Sequence, residues 1–346
     1  MAVSVVSAAS TAVPLDDRSR VGEARRMALT LAAEAGLNEA ARNDVGIVAT
    51  ELATNVLRHA GHGTLLLRRL ADGGGGIELL CVDAGPGMRD PAACLADGYS
   101  TVPGSMGTGL GAIRRLAHGF DLYSIQERGT AVVTRFWARR DSSLARTAGM
   151  LAGLAVAVAG EVECGDAWAA HSGPGGTTVL LVDGLGHGPL AASAAQTAVE
   201  IFRTHPDAAP ADLVTLMHAG MRSTRGAAVA VAASGSAAGE GVRYAGVGNL
   251  SAVLARAQDS RSLMSHNGTV GLQARKIQEL GYPWPADAVL IMHSDGLQTH
   301  WRLDQYRGLA QRDAALIAAV LYRDFTRGRD DVSVVVQRST PPVDLG

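Results

Sequence analysis

Aromatic residues are scarce in this chain of 346 residues, at 4%. Its cores must therefore be built from Ala, Val and Leu, which a hydrophobic content of 47% can supply. Cysteine is scarcer still. Cys81, Cys94 and Cys164 form no C-x-x-C pair and no Cys/His cluster of zinc spacing, so neither a disulfide framework nor a zinc site is indicated, and a reducing cytoplasm fits. Charge is thin as well, at 18% with a formal net charge of −2, and the cations are almost all arginine, scattered through both halves. Without a basic stripe, nucleic acid is not an expected partner. No apolar run approaches the roughly 20 residues of a membrane span. Met150 to Gly160 reads as a buried strand, and Met1 to Pro14 lacks the basic start and long apolar stretch of a signal peptide. The expectation is a soluble cytoplasmic protein without membrane contact. Its length predicts two domains, each with its own core.

Helical spacing of apolar residues runs from Arg18 to Gly36 and again from Glu39 to His59. Two strands joined by a glycine-rich turn follow, 64–70 and 77–83, then a Gly/Pro-rich stretch from Gly85 to Gly109, a short helix to His118, and strands 121–126 and 130–138. This predicts an α+β layer arrangement over residues 15–138. The polar segment 139–152 reads as a linker. Beyond it, over 153–338, strands dominate at 154–159, 177–183, 227–233, 241–245, 251–256, 288–293 and 332–337. Paired helices lie at 189–204 and 210–221, and a third at 312–325. Two packed sheets flanked by helices are expected.

Four pieces of the first domain suit a nucleotide. Glu51 and Asn55, four apart on a helix, share a face and could hold magnesium and orient a nucleophile. Asp83 ends a strand and could accept a hydrogen bond from an adenine amino group, with Gly85 and Gly87 letting the backbone approach a flat ligand. Gly107, Gly109 and Gly111 open the helix to His118, where free N–H groups favour polyphosphate. Thr130 could reach the base directly or through water. Taken singly, each piece also reads as a loop or a solvated face. In this order they resemble the GHKL (Bergerat) ATP-binding fold of gyrase, the Hsp90 chaperones, histidine kinases and MutL. Within that superfamily the domain resembles the RsbT and RsbW switch kinases, and the string from Met106 to Leu122, MGTGLGAIRRLAHGFDL, is especially similar to RsbT. That resemblance implies a two-layer α/β sandwich binding ATP and Mg2+, with Glu51 as general base, Asn55 as magnesium ligand and Asp83 reading adenine. It leaves open a domain that binds ATP, or only a partner, without turnover.

The second domain carries aspartates at strand boundaries: Asp166, Asp183-Gly184 in VDGLGHG, Asp295-Gly296 in HSDGL, and Asp330-Asp331 before the last strand. One Asp-Gly is ordinarily a turn. Several carboxylates freed by glycine at strand ends suit hard divalent cations, two of which can share an aspartate and align a water for attack on a phosphate ester. The pattern resembles the type 2C (PPM) Ser/Thr phosphatases in their SpoIIE and RsbX-like branch, which implies a four-layer α/β/β/α sandwich with two Mn2+ or Mg2+ ions. By that resemblance Asp183 bridges the metals, Gly184 lends its carbonyl, and Asp166, Asp295 and Asp330 complete the shells. Asp330 is preferred to Asp331 because the family motif reads acid, acid or amide, apolar residue, Thr/Ser. His187 reads as a turn residue with general-acid function as the alternative, His293 as packed, and Asn249 and Asn267 as loop-fixing.

The resemblances imply a regulator that dephosphorylates, and phosphorylates, STAS-domain proteins of the anti-anti-sigma or stressosome type. Two alternatives remain open: a phosphatase whose ATP-binding domain is a non-catalytic switch, and a phosphatase of small phosphoesters.

Overall fold

The computed structural model describes residues 9–70, 75–95, 109–139, 149–235 and 241–340, with the backbone alone at 3–6. Helices α1 (Ser19–Glu34) and α2 (Glu39–His59) form where the apolar spacing predicts them. Asn38 caps α2 by accepting from the Ala41 N–H at 2.9 Å. Strands β2 (Thr11–Leu15), β3 (Gly63–Leu70), β4 (Gly76–Asp83), β5 (Gly119–Ile125) and β6 (Gly129–Trp137) make an antiparallel sheet in the order β2-β3-β4-β6-β5. The sheet begins at Thr11, ahead of the predicted start of the domain at 15. Between β4 and β5 lie the single turn α3 (Pro91–Cys94) and α4 (Gly109–Leu116).

Alternation along β3 and β4 sends side chains to both faces, and both faces are covered. Leu65, Leu67 and Leu79 pack with Val45, Leu52 and Val56 of α2. Leu66, Leu80 and Val82 point the other way, onto helix α7 (Ala314–Phe325).

The second domain holds two stacked sheets. In one, β1 (Val3–Val6), β8 (Asp166–Gly173), β9 (Gly176–Gly184), β10 (Ala227–Ser234), β11 (Val242–Val247) and β16 (Leu280–Tyr282) run in that order. The other has the order β13-β12-β17-β18-β7, from β13 (Ser260–Ser262), β12 (Ser251–Ala255), β17 (Val289–His293), β18 (Val332–Arg338) and β7 (Leu151–Val156). A small hairpin, β14 (Gly268–Thr269) with β15 (Gln273–Ala274), stands apart. Trp168, Leu181, Tyr244, Leu254 and Met292 fill the space between the sheets. Helices α5 (Pro189–Thr204) and α6 (Pro210–Gly220) cover the first sheet, and α7 covers the second. This is the expected α/β/β/α sandwich.

Two features go beyond the sequence reading. β8 and β1 were not predicted: the first is written in Ala, Trp and His with no β-branched residue, and β1, although N-terminal, pairs with β8 in the C-terminal domain. In addition, α7 is shared. Ala314 through Leu321 are all buried, with the second sheet of the C-terminal domain on one side and the N-terminal sheet on the other. Buried ion pairs reinforce that contact. Glu78 takes Arg68 at 2.6 Å and Arg135 at 2.7 Å. Arg135 reaches on to both oxygens of Asp313, at 2.6 and 2.8 Å, and Asp313 caps α7 by accepting from the Ala315 N–H. Asp121 accepts from the Asp313 N–H and pairs with Arg312.

Candidate functional site

On α2, Glu51 and Asn55 are both partly buried, and α4 begins directly opposite them. A Cβ placed on Gly109 would lie 3.3 Å from Glu51 Oε2 and 3.5 Å from both polar atoms of the Asn55 amide. The start of α4 and the Glu/Asn pair, remote in sequence, therefore share one space, with helix N–H groups at its edge. Gly111 is buried inside α4. Gly107 falls outside the described residues.

Asp83 ends β4 opposite Thr130 of β6. Its Oδ1 accepts from the Gly85 N–H at 2.9 Å, and Thr130 Oγ1 lies 3.0 Å from Ser124 Oγ. Burial raises the Asp83 pKa above the ordinary carboxylate value, against the opposing pull of the Gly85 N–H and the Arg323 guanidinium. Gly129 sits at φ +94°, where a Cβ would be 2.0 Å from the Asp83 carbonyl oxygen. Only glycine permits this close pairing of β4 and β6. Gly85 and Gly87 lie in the turn that follows Asp83.

In the second domain Asp183, at the end of β9, Asp295, just past β17, and Asp330, just before β18, line one cleft of about 430 Å³, together with Asn249 and Asn267. Asp166 stands behind it as the cross-strand partner of Asp183 and accepts from Ser333 Oγ at 2.8 Å. Gly184 is buried and donates its N–H to the Gly165 carbonyl. Burial, then the charges of Asp166, Asp295 and Asp330, push the Asp183 pKa well above the carboxylate range. Burial likewise raises that of Asp166, against the Ser294 and Ser333 hydroxyls. Asp331 is used differently: it is buried, and its oxygens accept from the Val158 N–H at 2.7 Å and the Gly165 N–H at 2.5 Å.

Among the described residues no group of three His, Cys, Asp or Glu side chains is gathered tightly enough to hold an ion as it stands. The chemistry of the donors nevertheless fits hard divalent cations: three carboxylates line one cleft, and burial and the neighbouring carboxylates raise the proton affinity of Asp183 where no other cation neutralises it.

Asn249, read from the sequence as loop-fixing, donates from Nδ2 to Asp295 Oδ2 at 2.6 Å. The only sequence signal for this was its place in the Gly-Val-Gly-Asn string. Removing this donor leaves Asp295 unsteered, so Asn249→Ala is expected to weaken metal affinity or metal-dependent turnover about 10–100-fold, measured as the manganese dependence of phosphate-ester hydrolysis. His187 is exposed, with Nδ1 2.8 Å from Glu161 Oε1. His293 is buried between the Ser294 carbonyl and the Trp301 indole N–H, and burial lowers its pKa.

Residues 13–136 match the family model of the histidine kinase-like ATPase domain, and residues 173–340 match that of stage II sporulation protein E, SpoIIE. The serine/threonine-protein kinase RsbT of Bacillus subtilis (strain 168) is 32% identical over 117 residues, which are 34% of this chain and 87% of RsbT. This chain belongs, through its first domain, to the RsbT family of histidine kinase-like ATPases. Among solved structures, a chain from work on the bacterial stressosome, described as a modular system adapted to control secondary messenger signaling, superposes with a TM-score of 0.50 at 26% identity. The match covers 55% of this chain and 98% of that one. RsbX in complex with magnesium is 18% identical with a TM-score of 0.46, covering 54% of this chain and 92% of that one. By the family-model matches and the identity to RsbT, the first domain is an RsbT-like ATPase-type module, and the second is a SpoIIE-type domain. No helix among the described residues is long and apolar enough to cross a membrane.

Proposed function

We propose that this chain is a cytoplasmic signalling regulator that removes phosphate from phosphoserine or phosphothreonine on STAS-domain proteins and binds ATP to phosphorylate Ser or Thr of such a partner. The observation that carries the phosphatase half is the convergence of Asp183, Asp295 and Asp330 on one cleft from three separate strand ends. These residues, with Asp166 behind and the Gly184 carbonyl beside them, would hold two Mn2+ or Mg2+ ions. When bound, such ions neutralise phosphate charge and activate water for in-line attack. The chain's own part is orientation: Asn249 fixes Asp295, and Ser333 fixes Asp166. The test is hydrolysis of p-nitrophenyl phosphate, which should require manganese, stop on chelation and return when metal is restored. Hydrolysis that is indifferent to chelation would overturn the assignment.

For the kinase half, Glu51 would accept the proton of the substrate hydroxyl, Asn55 would hold Mg2+ and Asp83 would receive the adenine amino group, with Gly109 and Gly111 beside the phosphates. Positioning and charge neutralisation dominate such transfers. Glu51→Gln is accordingly expected to lose transfer of label from ATP to a STAS protein, by about 10²–10⁴-fold for loss of a general base, while nucleotide affinity stays within a few-fold. Equal transfer by both proteins would remove Glu51 from that role. A second reading, ATP as an effector without turnover, is favoured by the contact between Arg323 of α7 and the Asp83 carbonyl.

A further inference from the structure

We infer that nucleotide bound in the first domain is an effector of the phosphatase, and that the C-terminal end of α7 carries the effect. This rests on the reading of both sites given above. Arg323, in the last turn of α7, donates from Nη1 to the main-chain oxygen of Asp83 at 3.0 Å. Its side chain is 7% exposed, and its Nε and Nη2 hold Asp324 at 2.6 and 2.8 Å. Asp324 also accepts from the Tyr306 hydroxyl at 2.7 Å. The guanidinium is therefore fixed from two sides, and movement of the Asp83 backbone reaches α7 through it.

The same helix end is tied to the metal cleft by backbone bonds. Phe325 accepts from the Gln298 N–H at 2.9 Å, and the Arg327 N–H donates to the Gly296 carbonyl at 2.9 Å. Leu297 and Thr326 form an antiparallel bridge between these two bonds. Gly296 is the residue after Asp295, and it has no slack: a Cβ there would lie 2.0 Å from the Asp331 carbonyl oxygen. A shift of the α7 terminus must therefore displace the Asp295 turn relative to Asp330 and Asp331, two turns that both serve the cleft. Upstream, Ala314 to Leu321 are buried between two sheets, so the helix moves as a unit or not at all. Each site thus abuts one end of a short chain of bonds: Asp83, Arg323, Phe325 to Arg327, Gly296, Asp295. Neither Arg323 nor Tyr306 lines the metal cleft.

A ligand that repositions Asp83, as a purine nucleotide bonded to its carboxylate would, changes the geometry offered to the metals, and by linkage occupancy of the metal cleft changes nucleotide affinity. The experiment uses the full chain and the non-hydrolysable analogue AMP-PNP in magnesium buffer. Three quantities are read: AMP-PNP affinity by calorimetry, p-nitrophenyl phosphate turnover at subsaturating manganese, and amide exchange at 296–298 and 325–327. Saturating AMP-PNP is expected to change turnover by at least about 5-fold, the lower end of typical coupling, and to alter exchange in both segments. Arg323→Gln should hydrolyse the ester like the wild type in the absence of nucleotide and, at AMP-PNP concentrations that calorimetry shows to saturate it, should show neither response. Should that variant fail to fold, Arg323→Lys, which keeps the charge but not the fork, carries the same expectation in weaker form. AMP-PNP that binds without changing turnover or exchange overturns the coupling alone, as does a response that survives in the Arg323 variants. Failure of the wild type to bind AMP-PNP overturns the nucleotide site and the coupling together.

Discussion

Asp183→Ala is expected to abolish manganese-dependent hydrolysis of p-nitrophenyl phosphate, a loss well beyond the roughly 10–100-fold that follows removal of a group merely steering a metal ligand. Asp183 is singled out by its surroundings. It ends β9 at the floor of the cleft and faces Asp166 across the strand pair. It also feels the charges of Asp295 and Asp330 as a burden that raises its proton affinity. A carboxylate placed among like charges is poor for the stability of the fold and good for binding cations. Two outcomes separate that explanation from simple unfolding. In chelator, Asp183→Asn should melt at a higher temperature than the wild type, because one crowded charge has gone. With metal present the order should reverse, since metal stabilises only the protein that binds it. AMP-PNP affinity should remain measurable in both variants, which shows the first domain to be intact. Retained hydrolysis in Asp183→Ala, together with retained hydrolysis in Asp295→Ala, would remove the metal assignment.

Glu78→Ala should cost about 3–5 kcal/mol of stability, the range for breaking a buried ion pair by deleting one partner. The side chain lies in the middle of β4 at 1% exposure. Its loss takes from the buried Arg68 the carboxylate it pairs with and leaves Arg135 paired with Asp313. Burial by itself would raise the Glu78 pKa, but the facing Arg68 and Arg135 guanidiniums overcome it and hold the carboxyl below the ordinary glutamate value. A depressed carboxylate pKa contributes stability that is complete above the unfolded-state value and is lost as pH falls through the folded one. The difference between wild type and variant in urea unfolding should therefore be level at neutral pH and should narrow in acid, below the ordinary glutamate pKa. A gap that widens in acid would contradict the network as described. Because Arg135 also grips Asp313 at the cap of α7, the variant should lose cooperativity between the domains as well, which appears as two unfolding steps where the wild type shows one.

What the sequence could reveal was local. Helical spacing found α1 and α2, and Asp-Gly pairs at strand ends found Asp183 and Asp295, because a carboxylate that must leave a sheet and turn at once needs glycine beside it. The preference for Asp330 over Asp331 rests on a family motif; in the structure Asp330 lines the cleft, while Asp331 holds the Val158 and Gly165 N–H groups. Long-range polar pairing was not legible. Nothing in the predicted strands 77–83 and 130–138 marks Glu78 and Arg135 as a buried pair, and the carboxylate that Arg135 reaches on its other side, Asp313, lies 178 positions away. One missed signal was present: residues 314–321 are apolar on every side, which marks a helix covered all round and not one lying on a surface. The domains were read as successive beads, whereas β1 crosses to the C-terminal sheet and α7 is sandwiched by both halves.

Opposed phosphate chemistry in one chain is tested most directly by incubating the protein with labelled ATP and STAS-domain proteins, comparing wild type with Glu51→Ala and Asp183→Ala. The account predicts that phosphoprotein is absent with Glu51→Ala and accumulates with Asp183→Ala well above the wild-type level. Label that fails to reach any STAS protein even with Asp183→Ala, or that reaches the same level with Asp183→Ala as with the wild type, would contradict it.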